Sequence, residues 1–145
     1  PQPRVRGIVV TPWCEQPMMA FVPPRWKAPK RVTPAWLAAQ PLIFNEATTH
    51  MYRLTMEWFA EAGFAPRARI ELNYDAAIRS LVAAGYGAAL LPLQQSTDNV
   101  RGDRMRILPV SPKLTRRVGI AHRQHATLDG ATLSVLKVLT MFRQA

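Results

Sequence analysis

The residue types best suited to chemistry lie in the segment Asn45-Glu46-Ala47-Thr48-Thr49-His50, directly after a short apolar run. Glu46 and His50 are four residues apart and have the side chains that a general acid and base require. No nucleophile or second carboxylate accompanies them in the sequence, so the pattern favours helix capping and surface solvation over catalysis. We therefore expect this chain not to be an enzyme.

The same segment is better suited to holding an anion. In open α/β sheets, ligands bind beyond the carboxyl ends of strands. A helix that starts at this point presents backbone N–H groups without intrahelical partners. We predict that Thr48, Thr49 and His50 lie in a cleft and contact a small ligand there. The alternative is that one of the two threonines only caps the helix.

Gly85-Tyr86-Gly87 has the glycine spacing of half a nucleotide-binding loop. A dinucleotide fingerprint requires a strand, then the glycines, then a helix. Here an apolar helical pattern precedes the glycines, an apolar strand-like run follows them, and Leu90 occupies the place of the third glycine. Gly85 and Gly87 are therefore predicted to form a structural turn between a helix and a strand. We expect no cofactor.

Two further groups of reactive residue types are incomplete. His122 and His125 supply at most half of a zinc site, and no third ligand stands at a useful spacing, so no metal is expected. Ser80 and Ser96 lie outside any nucleophile-elbow pattern. The single cysteine, Cys14, cannot form an internal disulfide, which fits a reducing cytoplasm.

Composition limits the class of protein. The chain has 145 residues, 48% of them hydrophobic, which is enough for one domain or a small pair of lobes with a real core. We find neither a run long enough to span a membrane nor a secretory leader, so a membrane protein is not expected. The net charge of +10 suggests nucleic acid as a partner. Most arginines are scattered, however, which favours a solvated basic surface and at most weak, sequence-independent DNA affinity that salt abolishes.

The elements that must position these residues follow from hydrophobic periodicity and from Gly and Pro punctuation. Between residues 18 and 92 strands alternate with helices, which predicts a parallel-rich sheet with Ile43, Leu72, Leu90 and Leu91 buried. The predicted strands are Gly7–Thr11, Met18–Val22, Leu42–Phe44, Arg69–Asn73, Ala88–Leu91, Arg106–Val110 and Arg117–His122. The predicted helices are Ala35–Ala39, one from Thr48 or Thr49 to Gly63, one from Asp75 to Ala84, and Asp129–Arg143.

Two long segments together resemble a known family. They are PLIFNEATTHMYRLTMEWFAEAGFAPRARIEL and AAIRSLVAAGYGAALLP. In order they contain an apolar strand, a helix with Trp-Phe near its end, a Glu-Leu strand, and Val-Ala-Ala-Gly-x-Gly running into Leu-Pro. This set resembles the effector-binding domain of LysR-type transcriptional regulators, closely from Met18 to about Leu93 and more loosely beyond. Tyr74 stands where that family usually has a capping Ser, so Asn73 is expected to cap instead.

The resemblance implies an α/β, type-2 periplasmic-binding-protein-like fold. Residues 1–17 are then part of the first lobe, 18–93 the complete second lobe, and 94–145 the return to the first lobe with the last helix. The implied function is sensing of a small effector, often an anion, in a bacterial cytoplasmic homo-oligomer. DNA is then contacted only through an N-terminal winged helix-turn-helix, which this chain lacks together with the first half of the effector domain. The alternative is a solute-binding module of transport or enzyme type on the same fold.

Overall fold

The computed structural model describes residues 6–93, 105–124 and 128–142. The chain divides into two units: unit 1 comprises residues 1–16 and 117–145, and unit 2 comprises residues 17–116. The strands are β1 Ile8–Val22, β2 Ile43–Phe44, β3 Ile70–Glu71, β4 Ala89–Pro92, β5 Arg106–Pro109 and β6 Thr115–Arg123. The helices are α1 Pro34–Ala38, α2 His50–Glu61, α3 Asp75–Ala83 and α4 Gly130–Met141.

The strands of unit 2 have the parallel pairings predicted for the segments between the helices, together with antiparallel pairings of β1. β2 and β3 are parallel, and a parallel bridge joins Leu42 and Ala88, the residues directly before β2 and β4. β1, by contrast, runs antiparallel to both β4 and β5. Strand–helix alternation indicates the α/β class. A buried strand has the same apolar sequence pattern whether it is parallel or antiparallel to its neighbours, so the sequence could not reveal the orientation of β1.

The first strand is also longer than predicted. The runs Gly7–Thr11 and Met18–Val22 belong to one strand, β1, which continues through Pro12 and Pro17. Both prolines are exposed, and Pro17 still contributes its carbonyl oxygen, which accepts a hydrogen bond from the Leu93 N–H at 2.9 Å. Proline lacks only the donor, so it fits a strand wherever that donor is not needed for pairing.

Alternating side chains of the strands divide the core of unit 2 into two layers. One layer contains Met18, Ala20, Val22, Leu37, Leu42, Phe44, Trp58, Phe59, Ala88 and Leu90. The other contains Phe21, Ile43, Ile78, Val82, Ala89 and Leu91. Helices α1 and α2 therefore cover one face of the strands and α3 covers the other. Each fully buried large side chain contributes roughly 1.5–3 kcal/mol. Ile43, Leu90 and Leu91 are buried as predicted, whereas Leu72 is only half-buried.

Helix ends follow local sequence signals closely. Thr33 caps α1 by accepting from the Trp36 N–H at 3.3 Å, and Pro34 occupies the first helical position. After α3, Gly85 has φ +89°, a left-handed conformation that glycine adopts without strain. Gly87 is buried, and a Cβ atom there would lie 2.8 Å from the Pro41 carbonyl oxygen. The turn that leads into β4 therefore has room for glycine alone at position 87.

Unit 1 is built from the first part of β1, from β6 and from α4. Leu133, Leu136 and Leu139 form the half-buried side of α4, and the Trp13 indole N–H donates to the Leu139 carbonyl oxygen at 2.9 Å. Among the described residues of unit 1 none is fully buried. Within the described part of the chain, no helix combines the length and apolar character needed to cross a membrane.

Candidate functional site

The segment singled out from the sequence borders a cavity with a volume of about 580 Å³. Thr49 and His50 line this cavity, together with Met51. Thr48 is exposed and does not line it. Two of the three residues predicted to contact a ligand are thus placed at one cavity, and the third lies elsewhere on the surface.

Thr49 is the N-cap of α2, and its hydroxyl is already engaged. The oxygen accepts a hydrogen bond from the Tyr52 N–H at 3.1 Å, and the hydroxyl donates to the Glu46 carbonyl oxygen at 2.7 Å. A hydroxyl has a single hydrogen, so Thr49 has none left to donate to an anion. Its side chain holds the helix end, and the backbone N–H groups of His50 and Met51 in the first turn remain the donors on this side.

The start of α3 lies at the same cavity but is built differently. Its N-cap is Tyr74, which makes no capping hydrogen bond through its side chain. The LysR-type pattern has a capping serine at this position, and Asn73 was expected to cap α3 instead. That expectation was wrong, because the N-cap is Tyr74 and no side chain caps the helix. Asn73, Tyr74, Asp75 and Ala76 all line the cavity. The N–H groups of Asp75 and Ala76 belong to the first turn, where no intrahelical acceptor exists.

Strand pairing explains why two helix starts converge. β2 and β3 are parallel neighbours, with Ile43 opposite Ile70 and Phe44 opposite Glu71. Their carboxyl ends therefore meet at one edge, and each strand leads within a few residues into a helix. The positive ends of the α2 and α3 dipoles consequently both lie at the cavity, where each favours negative charge.

Two arginines add full positive charge to the lining. Arg116, from β6, places Nη1 3.5 Å from the Met51 sulfur at the start of α2. Arg79, from α3, stacks over the Phe21 ring at 5.3 Å and donates from Nη2 to the Pro92 carbonyl oxygen at 3.3 Å. Phe21 is fully buried, so this contact fixes the position of the Arg79 guanidinium.

Asp75 is the one acidic side chain among the described lining residues. Its carboxylate accepts a long hydrogen bond of 3.4 Å from the buried Asn45 amide. The cavity therefore combines two arginines, an imidazole and two helix N-termini with one carboxylate acceptor. Such a site suits a small anion that also carries a hydroxyl or amine group for the carboxylate.

The other candidate groups do not form a comparable site. Glu46 contacts Thr49 through its backbone carbonyl oxygen, not through its carboxylate. His122 lines a separate cavity of about 370 Å³ within unit 1, and His125 lies outside the described residues. Among the described residues no three His, Cys, Asp or Glu side chains come close enough together to hold a metal ion.

Sequence reasoning missed most of the lining. Asn73, Asp75 and Ala76 carried a usable signal, since the predicted strand Arg69–Asn73, like Leu42–Phe44, ends shortly before a helix. Arg116 carried none, because it lies 65 residues from Met51 along the chain. Its place at the cavity depends on long-range strand pairing.

These features define an α/β ligand-binding domain of the type-2 periplasmic-binding-protein-like class, with an electropositive cavity at the strand ends of one unit. The chain belongs to the LysR substrate binding domain family, whose sequence profile matches residues 1–142. One relative, the HTH-type transcriptional regulator TtuA of Agrobacterium vitis, is 38% identical over 65 residues. That region is 43% of this chain but 21% of the relative, so the matched segment spans about a fifth of its length.

Solved structures support the fold independently. The CcmR regulatory domain of Synechocystis in complex with 2-PG superposes with a TM-score of 0.85 at 18% identity, covering 99% of this chain and 71% of that one. The effector binding domain of QuiR in complex with shikimate has a TM-score of 0.83 at 19% identity, covering 97% and 68%. The C-terminal domain of a probable LysR family regulator from Rhodococcus has a TM-score of 0.80 at 24% identity, covering 94% and 69%. The predicted family and fold class are thus confirmed.

Proposed function

We propose that this chain is the effector-sensing part of a LysR-type transcriptional regulator and that the 580 Å³ cavity binds the effector. The observation that carries the proposal is the convergence of the α2 and α3 N-termini on this cavity. Family membership favours regulation over transport or catalysis, because a curated relative is a helix-turn-helix regulator. In the whole protein, effector binding would control DNA binding by an N-terminal winged helix-turn-helix.

The effector is proposed to be a small organic anion. Dipole ends and arginines favour negative charge at the cavity, and charge-assisted hydrogen bonds stabilise it more strongly than neutral ones. Asp75 and the Asn45 amide offer additional partners for a hydroxyl or amine on the same molecule. QuiR, with the same fold, binds shikimate, which is a hydroxylated carboxylate and therefore a suitable probe.

The remaining features of the whole protein are proposals of the same kind. Residues 18–93 belong to one effector-binding lobe together with residues 105–116, which fall in the same unit, and residues 1–16 and 117–145 belong to the other lobe. The intact regulator acts as a homo-oligomer in the cytoplasm and has no catalytic activity. Family membership supports each of these points.

The test is a calorimetric titration of the chain with inorganic phosphate, shikimate and a neutral polyol. Arg116→Ala should weaken binding of the anions by roughly tenfold or more, since a hydrogen bond to a charged group contributes about 1.5–3 kcal/mol. The matched control is Arg117→Ala, which removes the neighbouring charge. Arg117 is exposed and pairs with Glu15 at 3.2 Å within unit 1, away from the lining.

Equal losses in the two variants would mean that overall charge governs binding, and the cavity assignment would fail. It would also fail if the folded wild-type chain bound the polyol as well as the anions, or bound none of the probes. A melting curve for each variant separates lost binding from lost folding.

A further inference from the structure

Within unit 2, several cationic side chains lie in segments that contain no acidic residue. Residues 16–45 contain no Asp or Glu but include Arg25, Lys27, Lys30 and Arg31. Residues 105–124 also contain no acidic side chain, and Lys113 lies there. All five of these cationic side chains are exposed. They form what we call the basic surface, and the effector cavity uses none of them.

Backbone hydrogen bonds bring its two segments side by side. The Val32 N–H donates to the Pro109 carbonyl oxygen at 2.9 Å, and the Ser111 N–H donates to the Val32 carbonyl oxygen at 2.8 Å. Lys30 and Arg31 directly precede Val32, and Lys113 follows Ser111 by two residues. Backbone hydrogen bonds therefore hold two charged segments, which lie far apart in the sequence, side by side.

The loop that carries the first charges is also held in place. Arg106 donates from Nη1 to the Trp26 carbonyl oxygen at 2.9 Å, and the Trp26 N–H donates to the Pro23 carbonyl oxygen at 3.2 Å. Trp26 packs partly buried against the larger core layer. The charges at positions 25 and 27 are thus presented on an anchored backbone.

Solubility alone does not account for this distribution. Between residues 46 and 75 of the same unit, Arg53, Arg67 and Arg69 are interspersed with carboxylates. The basic surface lacks such neighbours, and within the described residues none of its five side chains forms an ion pair. Clustered like charges repel one another, and a polyanion relieves that repulsion while releasing its own counterions.

We propose that the basic surface contacts the phosphate backbone of duplex DNA, independently of base sequence. Duplex DNA is the polyanion of choice because the family to which the chain belongs includes a helix-turn-helix regulator, and such a regulator is held against DNA. The proposal departs from the expectation that DNA is contacted only through an N-terminal domain. It does not depend on the effector cavity.

The experiment measures binding of this chain to a labelled 30-base-pair duplex of random sequence by fluorescence anisotropy, across a series of salt concentrations. The variant is Lys27→Gln/Lys30→Gln/Arg31→Gln. It should bind roughly tenfold more weakly at low salt. Its slope of log affinity against log salt should fall by about 2.7, because each phosphate that is no longer neutralised lowers the slope by about 0.9.

The matched control is Arg53→Gln/Arg67→Gln/Arg69→Gln, which removes the same charge from exposed positions of the same unit. It should retain affinity within about twofold, because phosphate contacts act locally. Equal losses in both variants would show that net charge alone matters and would overturn the proposal. Wild-type affinity in the first variant would overturn it as well.

Two further arms test the choice of partner. Polyglutamate and vesicles containing phosphatidylserine are offered in competition with the duplex at equal anionic charge. The duplex should remain bound, because its phosphates have a regular, rigid spacing and the cationic residues of the basic surface lie on a backbone held in place by hydrogen bonds. Preferential binding of either competitor would assign the surface to an acidic protein or to a membrane and would overturn the proposal. Circular dichroism melting of each variant confirms that it is folded.

Discussion

Helices α2 and α3 begin at the same cavity, but their first turns are capped in different ways. The first turn of α2 is closed by Thr49, whose hydroxyl accepts from the Tyr52 N–H at 3.1 Å. The first turn of α3 starts at Tyr74, whose side chain caps nothing and is 70% exposed. A missing cap forgoes about 1 kcal/mol of stability. Lost stability at a ligand cavity is typical of functional positions, which depart from the locally optimal residue.

The difference assigns separate roles to the two helix ends. At α2 the cap contributes stability and takes the Tyr52 N–H, and the cavity receives the N–H groups of His50 and Met51, the helix dipole and the nearby Arg116. At α3 no side chain competes with a ligand for the N–H groups of Asp75 and Ala76, while the Ala77 N–H donates to the Tyr74 carbonyl oxygen at 3.0 Å. A change at the start of α2 should therefore alter stability more than anion affinity. A change at the start of α3 should alter anion affinity more than stability.

Among changes at the helix starts, Thr49→Ala should have the largest effect on stability, because it removes the cap of α2. The free energy of unfolding should fall by about 1 kcal/mol, measured by urea denaturation. Anion affinity should stay within about twofold, because the Thr49 hydroxyl hydrogen is already donated to the Glu46 carbonyl oxygen. Thr48→Ala is the matched control and should change neither quantity. A many-fold loss of affinity in folded Thr49→Ala would restore the hydroxyl as a direct ligand contact.

Tyr74→Ser should change stability less than Thr49→Ala does, and it should raise stability where Thr49→Ala lowers it. Serine is a strong N-cap residue, so the variant should gain about 0.5 kcal/mol of stability. It should also bind phosphate about two- to fivefold more weakly, because the new hydroxyl competes for an N–H worth roughly 0.5–1.5 kcal/mol.

Tyr86→Ser serves as the control for Tyr74→Ser, since Tyr86 is 51% exposed and does not line the cavity. Calorimetry and urea denaturation on both variants measure the two effects. Tighter anion binding by Tyr74→Ser would remove the distinction between the two helix ends.

The smallest effect concerns a third helix start, that of α4. Asp129 accepts from the Thr132 N–H at 2.7 Å, and this hydrogen bond holds the pKa of Asp129 below its usual value of 3.8. A lowered folded-state pKa means that the carboxylate stabilises α4 at pH above 3.8 and that this contribution disappears as pH falls through the folded value. The protection factor of the Thr132 amide, which is the observed hydrogen exchange relative to that of an unstructured amide at the same pH, should therefore fall as the pH drops through the folded-state pKa of Asp129. Asp129→Asn should lose that dependence, and an unchanged profile in the variant would contradict the assignment.

Local sequence signals predicted the helices well because capping acts over three or four residues. Thr33 and Thr49 cap α1 and α2, and glycine residues follow α2 and α3 where the periodic apolar pattern stops. Strands were less well predicted. β2 and β3 have two residues each, and the prolines within β1 resembled breaks, because pairing depends on a partner strand that the local sequence does not identify.

For the candidate site, the sequence identified one of two strand–helix junctions. The segment from Asn45 to His50 was found because an apolar run, threonines and a helical pattern follow one another directly. The second junction, at Asn73 to Ala76, was predicted as a strand end and helix start but was not connected to the first. That connection depends on the parallel pairing of Ile43 with Ile70.

The sequence by itself determined the α/β class, the family and the position of the helix starts, since each depends on patterns spanning a few residues or on their order along the chain. Tertiary structure alone decided that Arg116 lies beside Met51 and that the segments around Val32 and Val110 join into one basic surface. Both arrangements bring together residues more than sixty positions apart. Contacts of that range are set by strand direction and register, which depend on packing of the whole core.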